Sequence, residues 1–327
     1  MINKNAQLHP EIFSEQKDKK PTRDGFGHGV VALGKENPDV VVLCADLAES
    51  TRAEWFQKEF PERYVELGVA EQNLATVASG MAAVGKIPFI ASYAAFSPGR
   101  SYEQVRTTIA LNEQPVKIAG MHAGISVGPD GATHQMLEDI GLMRMLPHMT
   151  VIVPGDAEEA KKATIAAGRS SGPVYIRYGR SATPFFTTPD TPFEIGKALL
   201  LWKGEAPQVL ILSTGSLSHR ALLVARALDA EGVFSSVVHV ATVKPLDKET
   251  ILREAQHATL VVTIEEHQVH GGFGSAVAEL LSEALPKRMV FFGVHDQFGQ
   301  SGETEELYEA YGLSVSHMTE KIRGAIG

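Results

Sequence analysis

"DVVVLCAD" (residues 39–46) is an uninterrupted apolar run between two aspartates. A continuous Val-rich run of this length suits a strand covered on both faces, as in a parallel sheet packed between helices. The same reading applies to "PFIASY" (88–93), "PVKIAGMHAG" (115–124), "TVIVPGD" (150–156) and "PVYIRYG" (173–179). Helical patterns fall between them at residues 71–84, 101–111, 135–145 and 157–168. Strands alternating with helices predict a doubly wound α/β domain. The pattern breaks in "SATPFFTTPDTPFEIG" (181–196), which is rich in Pro and Thr and reads as a connection between domains. A second alternating series follows, with strands in "QVLILSTGS", "VFSSVVHVAT", "ATLVVTIEEH" and "RMVFFGVHD" and helices at 217–229 and 274–285. The expected organisation is a polar N-terminal extension (1–19), a first domain (20–187), a linker (188–196) and a second domain (197–327). Each domain is expected to be an open, mostly parallel sheet flanked by helices.

Composition narrows the function classes. With 327 residues, 44% of them hydrophobic, the chain can bury two cores of ordinary size. A net charge of −9 disfavours non-specific binding to nucleic acid or anionic membranes, yet leaves room for a local basic pocket. The single cysteine, Cys44, rules out an intrachain disulfide and a cysteine-based metal site. The opening "MINKNAQLHPEIFSEQKDKK" lacks the apolar core of a signal peptide, and no run approaches the ~18 apolar residues of a membrane span. A cytoplasmic protein is expected.

Ligands of parallel sheets bind beyond the carboxyl ends of the strands, where several of these runs end in polar or Gly-containing sequence. Asp46, His122, Glu265 and Glu266 stand at such ends, although simple turn chemistry accounts for any single one of them. A separate feature is "GVAEQNLATVASGMAAVG" (68–85). Leu74, Ala75, Val77, Ala78, Met81, Ala82 and Val84 predict a helix apolar nearly all round and therefore buried, with Gly85 as its stop. Glu71 stands in its first turn. A carboxylate there gains about 0.3–1 kcal/mol from the helix dipole, so a plain helix-start acid accounts for it. A buried carboxylate is costly unless paired, so a ligand-facing acid accounts for it as well. The loop "GMHAGISVGPDGATHQ" (120–135) carries His122, Asp130 and His134; their spacing is unlike a helical zinc motif and suits hydrogen bonding to a polyhydroxylated substrate, or ordinary loop structure. Arg23, Arg100, Arg177 and Arg180 fall near predicted element ends, where guanidinium groups could bind phosphate.

"GVAEQN", "PDGATHQ" (129–135), "IRYGR" (176–180), "TVKPLD" (242–247) and "VTIEEHQVHGGFG" (262–274) stand in this order along nearly the whole chain. In that order and spacing they resemble the C-terminal half of transketolases and of the related deoxyxylulose-phosphate synthases. The resemblance implies a pyrimidine-binding domain, a C-terminal domain and thiamine diphosphate as cofactor. Glu71 matches the acid that hydrogen-bonds ring nitrogen N1′ of the cofactor's aminopyrimidine, an acid–base role. Tyr93 and Phe96, in "SYAAFSPGR", are similar to aromatics that pack on that ring, and Asp46 to a residue near the cofactor. Asp130 resembles an aspartate that recognises a sugar hydroxyl. His134 resembles the catalytic histidine that contacts the reacting ketol oxygens. Arg23, Ser50, His122 and Arg180 match positions that hold the sugar phosphate. An extra residue in "SYAAFSPGRSYEQVR" leaves Arg100 and Tyr102 without a matched position, and the motif mixture leaves the acceptor sugar open.

The family anchors the diphosphate through a divalent metal, Mg2+ or similar, held by a Gly-Asp-Gly motif and a later Asn. These 327 residues contain no such motif. The expectation is a split transketolase: a separate chain supplies the diphosphate-binding domain and holds the metal, in an α2β2 assembly acting on sugar phosphates, with no nucleic-acid or membrane partner. The rival readings are the β subunit of a 2-oxoacid dehydrogenase E1 component, a deoxyxylulose-phosphate-synthase-like enzyme, and a non-catalytic scaffolding subunit.

Overall fold

The computed structural model describes residues 1–14 and 18–326. In chain order the strands are β1 (Lys19–Lys20), β2 (Val40–Cys44), β3 (Tyr64–Glu66), β4 (Ile87–Tyr93), β5 (Lys117–Met121), β6 (Thr150–Ile152), β7 (Val174–Arg177) and β8 (Thr183–Pro184). They continue with β9 (Leu199–Trp202), β10 (Val209–Ser213), β11 (Ser235–His239), β12 (Thr242–Lys244), β13 (Leu260–Gln268) and β14 (Arg288–Val294). One sheet has seven strands in the order β12-β6-β7-β5-β4-β2-β3, and another has five in the order β14-β13-β10-β11-β9. All pairings in them are parallel except those of β12 with β6 and β9 with β11. Every residue of β2 is buried, which is why its sequence shows no polar alternation.

On one face of the seven-stranded sheet the helices Thr22–Glu36 and Ala157–Arg169 enclose Phe26, Val30, Val40, Val42, Phe89 and Ala163. They cross closely at Gly25, where a Cβ would lie 2.3 Å from the Ala157 carbonyl oxygen. On the other face the helix Glu71–Ala83 buries Leu74, Ala75, Ala78 and Ala82 against Val41, Leu43 and Ile90. That core continues without a break into Val238, Val243, Phe273 and Val277 of the second alternating series.

Several expectations change. The helix Glu71–Ala83 is buried on one face only: Gln72, Asn73, Thr76, Gly80 and Ala83 are exposed, as is Val84 just beyond it. Alanine and glycine are neutral enough to occupy an exposed face, so an apolar count overstates burial. The run "VFSSVVHVAT" is not one strand. Its centre is β11, whereas Thr242 turns away into β12 and closes the edge of the first sheet. The N-terminal extension also packs on the second series through residues its polar composition does not single out. Asn3 bonds the Leu200 and Leu201 carbonyls at 2.8 and 2.9 Å, Ile12 is fully buried among residues of the second series, and Phe13 meets Trp202 edge-on at 6.1 Å. Too few apolar residues lie there for a sequence pattern to reveal a docked segment.

The Pro- and Thr-rich connection is stitched down. Asp156 Oδ2 accepts from the Phe186 and Thr187 amides at 2.8 and 2.7 Å, and Lys162 Nζ donates to the Thr188 and Thr191 carbonyls. The helix expected from residue 135 starts at Asp139, because Gln135 is drawn off to donate to the carbonyls of Ile125, Gly128 and Gln300. Among the described residues no helix is long and apolar enough to cross a membrane.

Candidate functional site

The carboxyl ends of four neighbouring strands of the seven-stranded sheet deliver most of the predicted residues. Asp46 and Ser50 follow β2, Tyr93 closes β4, His122 follows β5, and Arg180 follows β7. Asp46 and His122 adopt left-handed backbone, with φ of 58° and 53°, which turns the chain sharply off the strand ends.

Arg23, in the first turn of the helix Thr22–Glu36, binds two of these ends together. Its Nη1 donates to the Ser50 carbonyl at 2.7 Å and to His122 Nε2 at 2.9 Å. A guanidinium can only donate, so Nε2 is the acceptor nitrogen and the ring proton sits on Nδ1. Both His122 Nδ1 and Arg23 Nε are buried donors without a protein partner. Such donors call for a bound acceptor, which an oxyanion supplies. Burial, reinforced by the charges of Arg23, Arg180 and Arg52, lowers the His122 pKa to about 3. The ring is therefore neutral across the physiological range, and the positive charge of this region belongs to arginine. Because the folded value lies below that of the unfolded chain, acid favours unfolding: His122 contributes a loss of stability as pH falls from about 6.5 towards 3. An NMR titration from pH 8 to 5 is expected to leave the His122 ring resonances unmoved; a midpoint near 6.5 would contradict the arrangement.

Aromatic contacts lead away from this cluster. Tyr93 stacks on His122 with centroids 4.0 Å apart and donates to Ser50 Oγ at 3.0 Å. Phe96 stacks on Tyr93 at 5.9 Å, and His134 stands edge-on to both, at 6.0 Å from Tyr93 and 5.5 Å from Phe96. His134 Nδ1 meets Thr133 Oγ1 at 2.9 Å. Beyond Phe96 lies Glu71, 1% exposed, whose Oε2 accepts from Arg100 Nη1 at 2.7 Å. The Arg100 guanidinium sits 5.0 Å over the Phe96 ring. Carboxylate, aromatic pair, two histidines and basic cluster thus form one chain of contacts.

Not every predicted residue joins it. Asp46 and Asp130 are exposed. Asp46 contributes its backbone N–H to Glu66 Oε1 at 2.8 Å. Arg180 turns Nη1 to the Val127 carbonyl at 2.8 Å and acts on His122 through its charge. Arg177 is not a ligand-facing arginine: it is buried and held by Asp139 at 2.8 Å. Tyr102 points elsewhere, to the Leu142 carbonyl at 3.3 Å.

Two contributors escaped the sequence reading, and a third, Arg100, takes a role other than the phosphate binding expected of it. Arg52, in left-handed backbone just after Ser50, pairs with Asp24 at 2.8 Å and adds its charge at His122. Glu66 accepts from the Asp46 and Gly68 amides at 2.8 and 2.9 Å and from the Tyr64 hydroxyl at 2.7 Å. It thereby fixes the turn that delivers Glu71. Arg100, unplaced by motif, is the hydrogen-bond partner of Glu71. No local pattern marks these roles; a carboxylate three residues after Arg63 or an arginine after a turn is ordinary surface composition. Among the described residues no group of three His, Cys, Asp or Glu side chains is placed to hold a metal ion.

A parallel α/β sheet carrying this cluster on its carboxyl edge, joined to a second α/β unit, matches two family models: "Transketolase, pyrimidine binding domain" over residues 18–185 and "Transketolase, C-terminal domain" over residues 196–318. The chain belongs to the transketolase family. Within that family it corresponds to the C-terminal half, as its relatives show. It is 41% identical to a protein of Methanocaldococcus jannaschii described as a transketolase C-terminal section, over 93% of this chain and 95% of that one. It is 38% identical to the 6-deoxy-6-sulfo-D-fructose transketolase subunit of a Clostridium species, over 94% of each. A solved structure titled as a split-gene transketolase, an inactive β4 tetramer, superposes with a TM-score of 0.86 at 45% identity, covering 93% of this chain and 98% of that one.

Proposed function

We propose that this chain is the C-terminal subunit of a split thiamine-diphosphate-dependent transketolase, transferring a two-carbon ketol unit from a ketose phosphate to an aldose phosphate. The observation that carries the reading is the continuous contact chain from Glu71 through Arg100, Phe96 and Tyr93 to His122 and Arg23. It puts a water-shielded carboxylate beside an aromatic face at one end and unpartnered buried donors at the other.

The residues fit the pyrimidine part of the cofactor. A flat, protonatable ring needs a stacking surface, which Phe96 and Tyr93 offer, and a buried acceptor, which Glu71 offers. When bound, thiamine diphosphate supplies the electron sink for breaking the bond next to a ketose carbonyl. Glu71 holds a proton at ring nitrogen N1′. His134, with Thr133 on Nδ1, is oriented to move a proton at a ketol oxygen, and Asp130 accepts from a sugar hydroxyl. Arg23 Nε–H and His122 Nδ1–H donate to the phosphate, with the charges of Arg52 and Arg180 behind them. Asp46 lines the cofactor side of the rim. Mg2+ and the diphosphate contacts come from a separate chain, and an α2β2 assembly in the cytoplasm is the expected form.

The test is reconstitution. The purified chain is expected to show no ketol transfer from xylulose 5-phosphate and weak binding of thiamine diphosphate; a diphosphate-binding partner chain restores both. Full activity from this chain alone would overturn the proposal. The sulfosugar relative favours a second donor class, since a sulfonate and a phosphate present similar tetrahedral oxygens to Arg23 and His122. Parallel assays with 6-deoxy-6-sulfofructose decide the donor. Pyruvate with glyceraldehyde 3-phosphate, and pyruvate with a lipoyl domain, decide the synthase and dehydrogenase alternatives.

A further inference from the structure

The Glu71–Arg100 contact has the chemistry of a bound cofactor ring. A guanidinium is a planar N–C–N cation. Here it lies over the face of Phe96 at 5.0 Å while donating to Glu71 Oε2 at 2.7 Å. A protonated aminopyrimidine would ask for the same two things, a flat face to stack on and a carboxylate for its N–H. The two partners differ in burial. Glu71 is 1% exposed and cannot turn to water, whereas Arg100 is 46% exposed and can withdraw into solvent. Arg100 also lies on the turn joining Tyr93 to the helix Tyr102–Gln104, where a swing of its side chain disturbs no core residue.

We propose that Arg100 is a placeholder: its guanidinium occupies the pyrimidine subsite while cofactor is absent, and leaves it when the ring binds. This rests on the reading of Glu71 given above. The physical reason is the cost of a buried, unpaired carboxylate. In a chain whose cofactor is held mainly by another subunit, Glu71 must survive folding and assembly without its ligand. Arg100 supplies a cation of matching shape and prevents the carboxylate from drawing in a mismatched partner. The consequence is competition. A subsite blocked nine-tenths of the time lowers apparent affinity about tenfold.

The experiment measures thiamine diphosphate affinity of the reconstituted two-chain complex for wild type, Arg100→Gln and Arg100→Lys. Arg100→Gln is expected to bind about tenfold more tightly, with Arg100→Lys between the two because an ammonium keeps the charge without the flat face. Unchanged or weaker binding overturns the placeholder, weaker binding meaning that Arg100 touches the bound cofactor. A second readout uses the isolated full chain. Arg100→Gln is expected to lower its melting temperature, and adding Glu71→Gln to restore it; the absence of that coupling also overturns the proposal. Glu71→Gln in the complex separates the two possible failures. Lost turnover together with unchanged Arg100→Gln affinity overturns the placeholder alone. Retained turnover in Glu71→Gln overturns the reading of Glu71 and the placeholder with it.

Discussion

Replacing Glu71 with Gln is expected to lower turnover of the reconstituted two-chain enzyme by about 10²–10⁴-fold, the range of a positioned acid–base group. The substitution preserves shape and removes the ionisable oxygen that meets Arg100 at 2.7 Å. It is not expected to unfold the chain, because the group lost is a buried charge and the partner left behind is half-exposed and can hydrate. Melting temperature and circular dichroism therefore serve as controls on the kinetic effect. A loss of kcat with little change in sugar-phosphate KM would place Glu71 on the cofactor. A selective rise in KM would place it on the substrate. Unchanged turnover would reduce Glu71 to a helix-start acid and favour the scaffolding alternative.

The second large effect concerns stability. Asp139, fully buried, accepts from the Tyr175 hydroxyl at 2.6 Å and from Arg177 Nε at 2.8 Å. Arg177 in turn donates through Nη2 to the Met136 carbonyl at 3.2 Å and the Glu266 carbonyl of β13 at 2.8 Å. The pair thus ties the first sheet to the second. Asp139→Ala leaves a guanidinium buried without a counter-charge, and such removals cost about 3–5 kcal/mol. Urea unfolding should show a correspondingly lower midpoint. Replacing both Asp139 and Arg177 with apolar residues of similar volume should recover much of the loss, since the penalty belongs to the stranded charge. A loss below about 1 kcal/mol for Asp139→Ala would mean that water or a shifted side chain compensates.

The motif "IRYGR" shows how far sequence reading carries. It correctly located two arginines at a strand end, and chemistry alone made both suitable for phosphate. In the structure they part. Side chains alternate along a strand and its exit, so Arg177 points towards Asp139 and the Glu266 carbonyl of β13 while Arg180 lies on the site side near His122. The same limit applies to Arg100. Its neighbour Phe96 and its partner Glu71 are separated from each other by a helix, a strand and a turn, and the ion pair exists only because β4 returns that turn to the start of the helix Glu71–Ala83.

By itself the sequence determined the architecture and the ends at which chemistry gathers. Short Val-rich apolar runs alternating with helical patterns suit strands covered on both faces, and the residues following such strands emerge on one edge of a parallel sheet. It put His122 and Arg180 at strand ends and Glu71 at a helix start, while only the resemblance to transketolases joined them with Tyr93 in one site. Only the tertiary structure decided which of those groups touch. It put Arg23 between Ser50 and His122, it set the ring proton of His122 on Nδ1, and it gave Glu71 to Arg100. It also decided that "VFSSVVHVAT" divides between two sheets and that the N-terminal segment is docked. The physical reason is the same in each case. Periodicity reports which face of an element is buried, whereas partner, tautomer and charge state depend on atoms brought together from distant parts of the chain.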